Sequence, residues 1–107
     1  MEVFCKAELL AIEQYHQRLN EEQGRVVDFN IAAQEWVQNR SDRWHQERQT
    51  RMLAMQRDEI NRYKWIESEK AQRDLGREAV LCWIRENAAA WRRWYEEEYE
   101  VQEYLQS

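Results

Sequence analysis

The chain of 107 residues contains no proline and only two glycines, Gly24 and Gly76. Sheet folds need turn residues at short intervals, and long tracts of this sequence have none. Glu, Gln, Arg and Ala, which are favoured or tolerated in helices, dominate the composition. We therefore expect an all-α protein that forms a single helical domain over residues 1–107.

Two segments of the chain are similar enough to predict an internal repeat. Ile12 and Tyr15 align with Ile60 and Tyr63 at an offset of 48 residues. After a one-residue adjustment near Gly24, the offset becomes 47. The residues aligned at this offset are Ala32, Trp36, Val37 and Trp44 in the first copy and Ala79, Trp83, Ile84 and Trp91 in the second. Repeat 1 covers about residues 9–48, repeat 2 about 57–95, and residues 96–107 extend the last helix.

Each copy is typical of a helical hairpin, in which a short break separates two helices. Gly24 can adopt the left-handed conformation that ends a helix. Asp28 or Asn30 in the first copy, and Asp74 in the second, can accept hydrogen bonds from the free N–H groups of the following helix. The sequence therefore predicts two tandem helical hairpins.

The connection between the two copies has two interpretations. Residues 29–73 contain neither Gly nor Pro, so no local signal breaks the helix, and a long central helix is favoured. The alternative is a turn between Arg48 and Asp58, which would produce a compact four-helix bundle. The long helix would leave apolar surface open to a partner, whereas the bundle would bury it.

Steps of three and four residues predict which side chains face the helix seams. The sets are Cys5, Leu9, Ile12, His16 and Leu19 in the first helix, and Val80, Ile84, Asn87, Trp91, Trp94, Glu98, Val101 and Leu105 in the last.

Six tryptophans and five tyrosines are more large aromatic residues than the narrow stripe of a small bundle requires. Trp and Arg are enriched at protein interfaces, and the run "RRWYEEEYE" changes abruptly from basic to acidic, which suits charge matching between helices. We therefore predict a non-enzymatic protein–protein interaction module, an accessory subunit or adaptor that self-associates or docks a partner. The predicted contact residues are Trp36, Trp44, Trp65, Trp91, Trp94, Tyr95 and Tyr99.

A di-metal carboxylate bundle, acting as an oxidase or in metal storage, is the alternative function. Glu13 with His16, and Asp42 with His45, have the three-residue spacing that such bundles use. The second copy lacks these residues, and no other pattern places carboxylates beside them. We accordingly expect no enzyme activity, no cofactor and no metal site.

Nucleic-acid binding is a third possibility. Arg40, Arg43, Arg48 and Arg51 lie near two tryptophans in the sequence, an arrangement that can hold phosphates and stack a base. The net charge of -5 works against binding to a phosphate backbone, so a protein partner is the favoured reading.

Location in the cytoplasm is expected from the N-terminal sequence. The stretch "MEVFCKAELLAIEQYH" has no uninterrupted apolar run, which argues against a secretory signal or a membrane span. Cys5 and Cys82 are far apart and have no Cys-x-x-Cys companion, so we expect reduced thiols.

The tract from Glu59 to Trp94 resembles a module of short, uncharacterised bacterial helical proteins. Its run "KWIESEKAQRDLG", followed by the A-x3-WI-x3-A-x2-WR pattern, carries the resemblance. Gln72 stands where that module has glycine. The resemblance implies a bacterial origin and brings no activity with it.

Overall fold

The computed structural model describes residues 4–106, and this part of the chain is helical apart from short connections and contains no strand. The all-α prediction is confirmed. The molecule is elongated, measuring 64 × 29 × 18 Å. The elements in chain order are α1 (Lys6–Gln23), α2 (Phe29–Asn39), α3 (Ser41–Ala71), α4 (Arg77–Trp94), a π-helical turn (Tyr95–Tyr99) and α5 (Glu100–Gln106).

The loops after α1 and α3 begin with the same backbone conformation. Gly24 ends α1 at φ 63°, as the sequence predicts, and Gln72 ends α3 at φ 56°. Both residues are left-handed, a conformation that costs a residue with a side chain roughly 1–2 kcal/mol. Gln72 therefore occupies a position at which glycine would be unstrained.

Side chains from the last turns of α1 and α3 hold these loops in place. Asn20 Oδ1 accepts a hydrogen bond from the Val27 N–H at 2.7 Å, and Ser68 Oγ accepts one from the Leu75 N–H at 3.1 Å. Each pair is separated by seven residues, so the two loops are tied back at equivalent points.

The starts of α2 and α4 differ. Asp28 caps α2 as predicted, because its carboxylate accepts a hydrogen bond from the Asn30 N–H at 2.8 Å. Asp74 instead accepts from the Gly76 N–H at 2.9 Å, inside the loop, and Gly76 is the residue that precedes α4. Gly76 has φ 51° and ψ -128°, which a residue with a side chain would strongly resist.

The favoured long central helix is interrupted once, at Arg40, which has φ -129°. Hydrogen bonds still cross this point, since the Arg40 N–H donates to the Trp36 carbonyl at 2.8 Å and the Trp44 N–H donates to the Arg40 carbonyl at 3.0 Å. No break occurs between Arg48 and Asp58, because α3 runs through that region.

The main core lies where α1 contacts α2 and α5. Its buried members are Ala7, Ala11, Ile12, Tyr15, Ala32, Trp36 and Trp44. The predicted seam of α1 is partly wrong, because Leu9 is 45% exposed while Ala7 and Ala11 are buried. Because small side chains allow close approach, the face of α1 that carries Ala7 and Ala11 packs against the neighbouring helices.

The seam of the last helix also differs from the prediction. Ala79 and Trp83 are the residues of α4 that are buried, whereas Ile84 is 47% exposed. α4 contacts α3. We call α1 and α2, together with the start of α3 that carries Trp44, the N-terminal pair, and the rest of α3 with α4 the C-terminal pair.

Two further sequence features can be placed in this fold. Cys5 and Cys82 are free, half-buried thiols. Among the helices of the described chain, none is both long and apolar enough to cross a membrane.

Candidate interaction surface

The end of the chain covers the aromatic core of the N-terminal pair. The rings of Trp36 and Trp44 meet at a centroid distance of 6.3 Å and an interplanar angle of 61°. The Trp44 indole N–H donates a hydrogen bond to the Tyr104 hydroxyl at 2.7 Å. The Gln14 amide donates to the Tyr104 carbonyl at 3.5 Å, so α5 is fixed by its backbone as well as by its side chain.

A buried ion pair holds the same contact. Arg48 Nε donates to Glu100 Oε2 at 2.7 Å, and the Glu100 side chain is only 5% exposed. Glu96 contributes a longer contact of 3.6 Å to the same guanidinium. Burial lowers the pKa of Arg48, but the hydrogen bond and the charge of Glu100 outweigh it and raise the pKa overall. Arg48 is therefore permanently charged and joins α3 to α5.

Glu8 organises the other side of this core. Its Oε2 accepts hydrogen bonds from the Trp36 indole N–H at 3.1 Å and from the Ser41 hydroxyl at 2.9 Å. Its Oε1 lies 3.2 Å from His45 Nε2. A buried carboxylate is stable only with such partners. Glu8 thereby connects α1 to the helix interruption at Arg40, which lies in the sequence between the donors Trp36 and Ser41.

The C-terminal pair contains a Trp–Trp contact of nearly the same geometry. The rings of Trp83 and Trp91 meet at 6.3 Å and 64°. Trp91 also contacts Trp94 at 6.1 Å and stacks on Tyr95 at 5.4 Å. Tyr99 continues the series, lying 5.5 Å from Tyr95. The aromatic residues from Trp83 to Tyr99 therefore form a continuous series of ring contacts.

One side of this aromatic series is open to solvent. A groove of about 230 Å³ separates α3 from the last turns of α4, and Trp94 beside it is 40% exposed. We call it the open aromatic groove. Its lining residues are Met55, Asp58, Glu59, Arg62, Trp91 and Trp94.

A second cleft, of about 300 Å³, lies between α3 and the π-helical turn. Its lining includes the rings of Tyr95, Tyr99 and Tyr104 and the side chain of Arg51. Burial raises the pKa of Tyr95, and the nearby Glu100 charge raises it further, while Arg51 and Arg48 lower it. The Tyr95 hydroxyl therefore remains protonated at neutral pH and presents a neutral polar group.

The predicted contact residues divide into interior and surface groups. Trp36, Trp44 and Tyr95 are buried within the chain. Trp91 and Tyr99 are half-buried, at the edges of the two clefts. Trp65 and Trp94 are exposed, by 65% and 40%. Only the half-buried and exposed residues present surface that another molecule can reach.

The four candidate metal ligands are not brought together. Within residues 4–106, no three His, Cys, Asp or Glu side chains form a group able to hold a metal ion. His16 Nε2 contacts the Val27 carbonyl, and its ring packs edge-on against Phe29. His45 lies against Glu8, and Glu13 and Asp42 are exposed.

The arginines of the candidate nucleic-acid face already have intramolecular neighbours. Arg40 lies over the Tyr15 ring at 4.6 Å, Arg43 pairs with Glu47 at 2.9 Å, and Arg48 pairs with Glu100. Arg51 lines the cleft between α3 and the π-helical turn instead. The four side chains therefore do not form a single phosphate-binding surface.

Three residues that organise this surface were missed in the sequence. Glu8 follows the same helical spacing as Ile12 and Tyr15, and that spacing was the available signal for its burial. Glu100 and Tyr104 had no comparable signal, because their positions depend on how the π-helical turn orients α5.

No protein-family model matches this sequence, and no curated protein or solved structure is detectably similar to it.

Proposed function

We propose that the protein is a non-enzymatic, cytoplasmic interaction module, an accessory subunit or adaptor whose open aromatic groove docks a helix of a partner protein. The observation that carries the proposal is the exposure of Trp94 beside Trp91 in a groove that no other part of residues 4–106 fills. Tryptophan and arginine are among the residues enriched in interface hot spots. Asp58, Glu59 and Arg62 supply charged groups along the groove.

The chain contains its own example of such docking. In the N-terminal pair, α5 is held by Gln14 and Trp44. Arg62 lies 48 residues after Gln14, and Trp91 lies 47 residues after Trp44, which are the offsets of the repeat. Both of these residues line the open aromatic groove. The groove therefore corresponds to the place where α5 binds, and we propose that it accepts an aromatic-bearing helix of similar character.

We also propose that the chain consists of two copies of one helical hairpin. Three pairs of observations support it. Gly24 and Gln72 are both left-handed, and Asn20 and Ser68 both accept a hydrogen bond from a loop N–H seven residues later. The Trp–Trp contacts have the same centroid distance of 6.3 Å in the two pairs.

Affinity purification from the native source, followed by sedimentation, tests the proposed function. We expect wild-type protein to retain a partner in fixed stoichiometry, and Trp94→Ala to lose it because the largest exposed side chain of the groove is removed. Leu81→Ala is the matched control, since Leu81 is also an exposed apolar residue of α4 but does not line the groove.

The result that would overturn the proposal is a wild-type protein that sediments as a monomer and retains no partner. Retention of the same partner by Trp94→Ala, with its helix content unchanged by circular dichroism, would also remove the groove from the proposal.

A further inference from the structure

The outer face of α4 carries a charged surface separate from the open aromatic groove. It forms a shallow depression that continues into the π-helical turn. Its charged residues are Arg92 and Arg93 at the end of α4 and Glu96 and Glu97 in the π-helical turn. The depression is lined by Ile84, Ala88, Ala89, Arg92, Arg93, Glu96 and Glu97. We call it the outer face.

Most of these charges form no ion pair with another residue of the described part of the chain. Arg92, Arg93 and Glu97 form no ion pair within the described residues, and Glu96 makes only the 3.6 Å contact with Arg48. The basic residues precede the acidic ones by four positions, which is the less favourable order for pairing along a helix. The side chains are therefore available to a neighbouring molecule.

The order of the charges makes the outer face complementary to itself. When two copies lie antiparallel about a two-fold axis between positions 94 and 95, Arg92 of one copy faces Glu97 of the other, and Arg93 faces Glu96. A two-fold axis repeats each pair, so a single set of residues supplies both sides of the contact. A parallel arrangement in register would place like charges opposite each other.

Apolar residues of α4 lie beside the charges on the same face. Ile84 is 47% exposed, so its side chain gains from being covered in such a contact. Ala88 is half-buried and small enough to allow two helices to approach closely.

We propose that the outer face binds the outer face of a second copy of this chain, antiparallel about a two-fold axis, through Arg92–Glu97 and Arg93–Glu96 pairs with Ile84 beside them. This inference rests on the proposed role as an interaction module and names self-association as part of it. It uses a face that Trp94 does not line, and the dimer therefore leaves the open aromatic groove accessible.

Charge exchange between two variants tests this dimer. Arg92→Glu places Glu opposite Glu97 in a dimer of identical chains, and Glu97→Lys places Lys opposite Arg92. We expect each variant alone to dimerise at least about tenfold more weakly than wild type, since two ion pairs become repulsive. An equimolar mixture restores both pairs and is expected to form a heterodimer with wild-type affinity, measured by analytical ultracentrifugation.

Arg57→Glu is the control for net charge, because Arg57 is exposed on α3 outside the outer face. It should dimerise like wild type, and circular dichroism should show unchanged helix content in all variants. A mixture of Arg92→Glu and Glu97→Lys that remains monomeric overturns the inference, as does a wild-type assembly that neither variant weakens. In both cases loss of a partner from Trp94→Ala would still support the proposed function.

Discussion

The N-terminal pair and the C-terminal pair contain Trp–Trp contacts with the same centroid distance and different surroundings. Trp36 and Trp44 lie on α2 and α3, whereas Trp83 and Trp91 both lie on α4. In the N-terminal pair, α5 covers the tryptophans and a buried ion pair secures it. In the C-terminal pair, the open aromatic groove lies beside the tryptophans and is exposed to solvent. A Trp–Trp contact of one geometry can therefore lie in the core or at the surface, depending on whether another helix covers it.

Side-chain size accounts for part of this difference. Ala7 and Ala11 of α1 are buried and let other helices approach closely. At an offset of 48, the residues of α3 are Met55 and Glu59, which are larger and line the open aromatic groove. α5 therefore fits against α1 more closely than it would against this part of α3.

Arg48→Met should produce the largest effect on this comparison. The substitution leaves Glu100 buried without its cation, and we expect the free energy of unfolding to fall by about 3–5 kcal/mol in urea titrations. The double variant with Glu100→Leu removes both charges and should recover most of the loss. A fall of less than about 1 kcal/mol for Arg48→Met would mean that α5 does not depend on this pair.

Glu8→Ala should affect the N-terminal pair alone. The indole N–H of Trp36 and the hydroxyl of Ser41 both lose their acceptor, and we expect a loss of about 2–3 kcal/mol in the same assay. Gln56, at an offset of 48 from Glu8, makes no side-chain hydrogen bond within residues 4–106, so Gln56→Ala should cost about 0.5 kcal/mol. Equal losses in the free energy of unfolding for Glu8→Ala and Gln56→Ala would contradict this difference between the two pairs of helices.

The two loops offer a smaller and opposite pair of effects. Gln72→Gly should raise the free energy of unfolding by about 1 kcal/mol, because glycine adopts the left-handed conformation without strain. Gly24→Ala should lower it by about 1 kcal/mol through backbone strain alone, since no atom lies within 4 Å of the added Cβ. Changes of the same sign at both positions would show that the loops are not equivalent.

The smallest effect concerns Tyr63 in the C-terminal pair. Its hydrogen bond to Cys82 Sγ, together with burial and the charges nearby, raises its pKa to about 12. The stability that neutral Tyr63 contributes is therefore fully present below its ordinary pKa of 10.0 and is lost as the pH rises through about 12.

In Cys82→Ala, ultraviolet titration of tyrosinate should show one tyrosine ionising closer to its ordinary pKa. Cys82→Ser keeps a hydrogen-bonding group and should remain close to wild type. An unchanged titration in Cys82→Ala would assign the raised pKa of Tyr63 to its other neighbours.

Local signals in the sequence predicted the helical class and several helix ends. Gly24 and Asp28 act as predicted because their effects involve only nearby backbone groups. The interruption at Arg40 was not predictable in this way. It lies between Trp36 and Ser41, which both donate to Glu8 on another helix, so a tertiary contact accompanies it without any Gly or Pro.

The candidate surface was predictable only in part. The repeated spacing identified Trp36 with Trp83, and Trp44 with Trp91, as matching positions. It did not reveal that Trp36 contacts Trp44 and that Trp83 contacts Trp91, or which of these contacts is covered. That depends on α5, whose orientation is set by the segment "YEEEY", a sequence with no local signal for a π-helical turn. The preference for large apolar residues also misplaced the α1 seam, because close helix contact favoured Ala7 and Ala11 over Leu9.

The π-helical turn lets one helix present two independently oriented surfaces. Residues before it face α3, whereas residues after it reach α1 and the start of α3. Removing one of its five residues would restore a regular α-helix and rotate Glu100 and Tyr104 by about 100° about the axis. Their contacts with Arg48 and Trp44 would then be lost although every side chain was still present. The length of this short segment thus determines whether the chain's own C-terminus closes its N-terminal core.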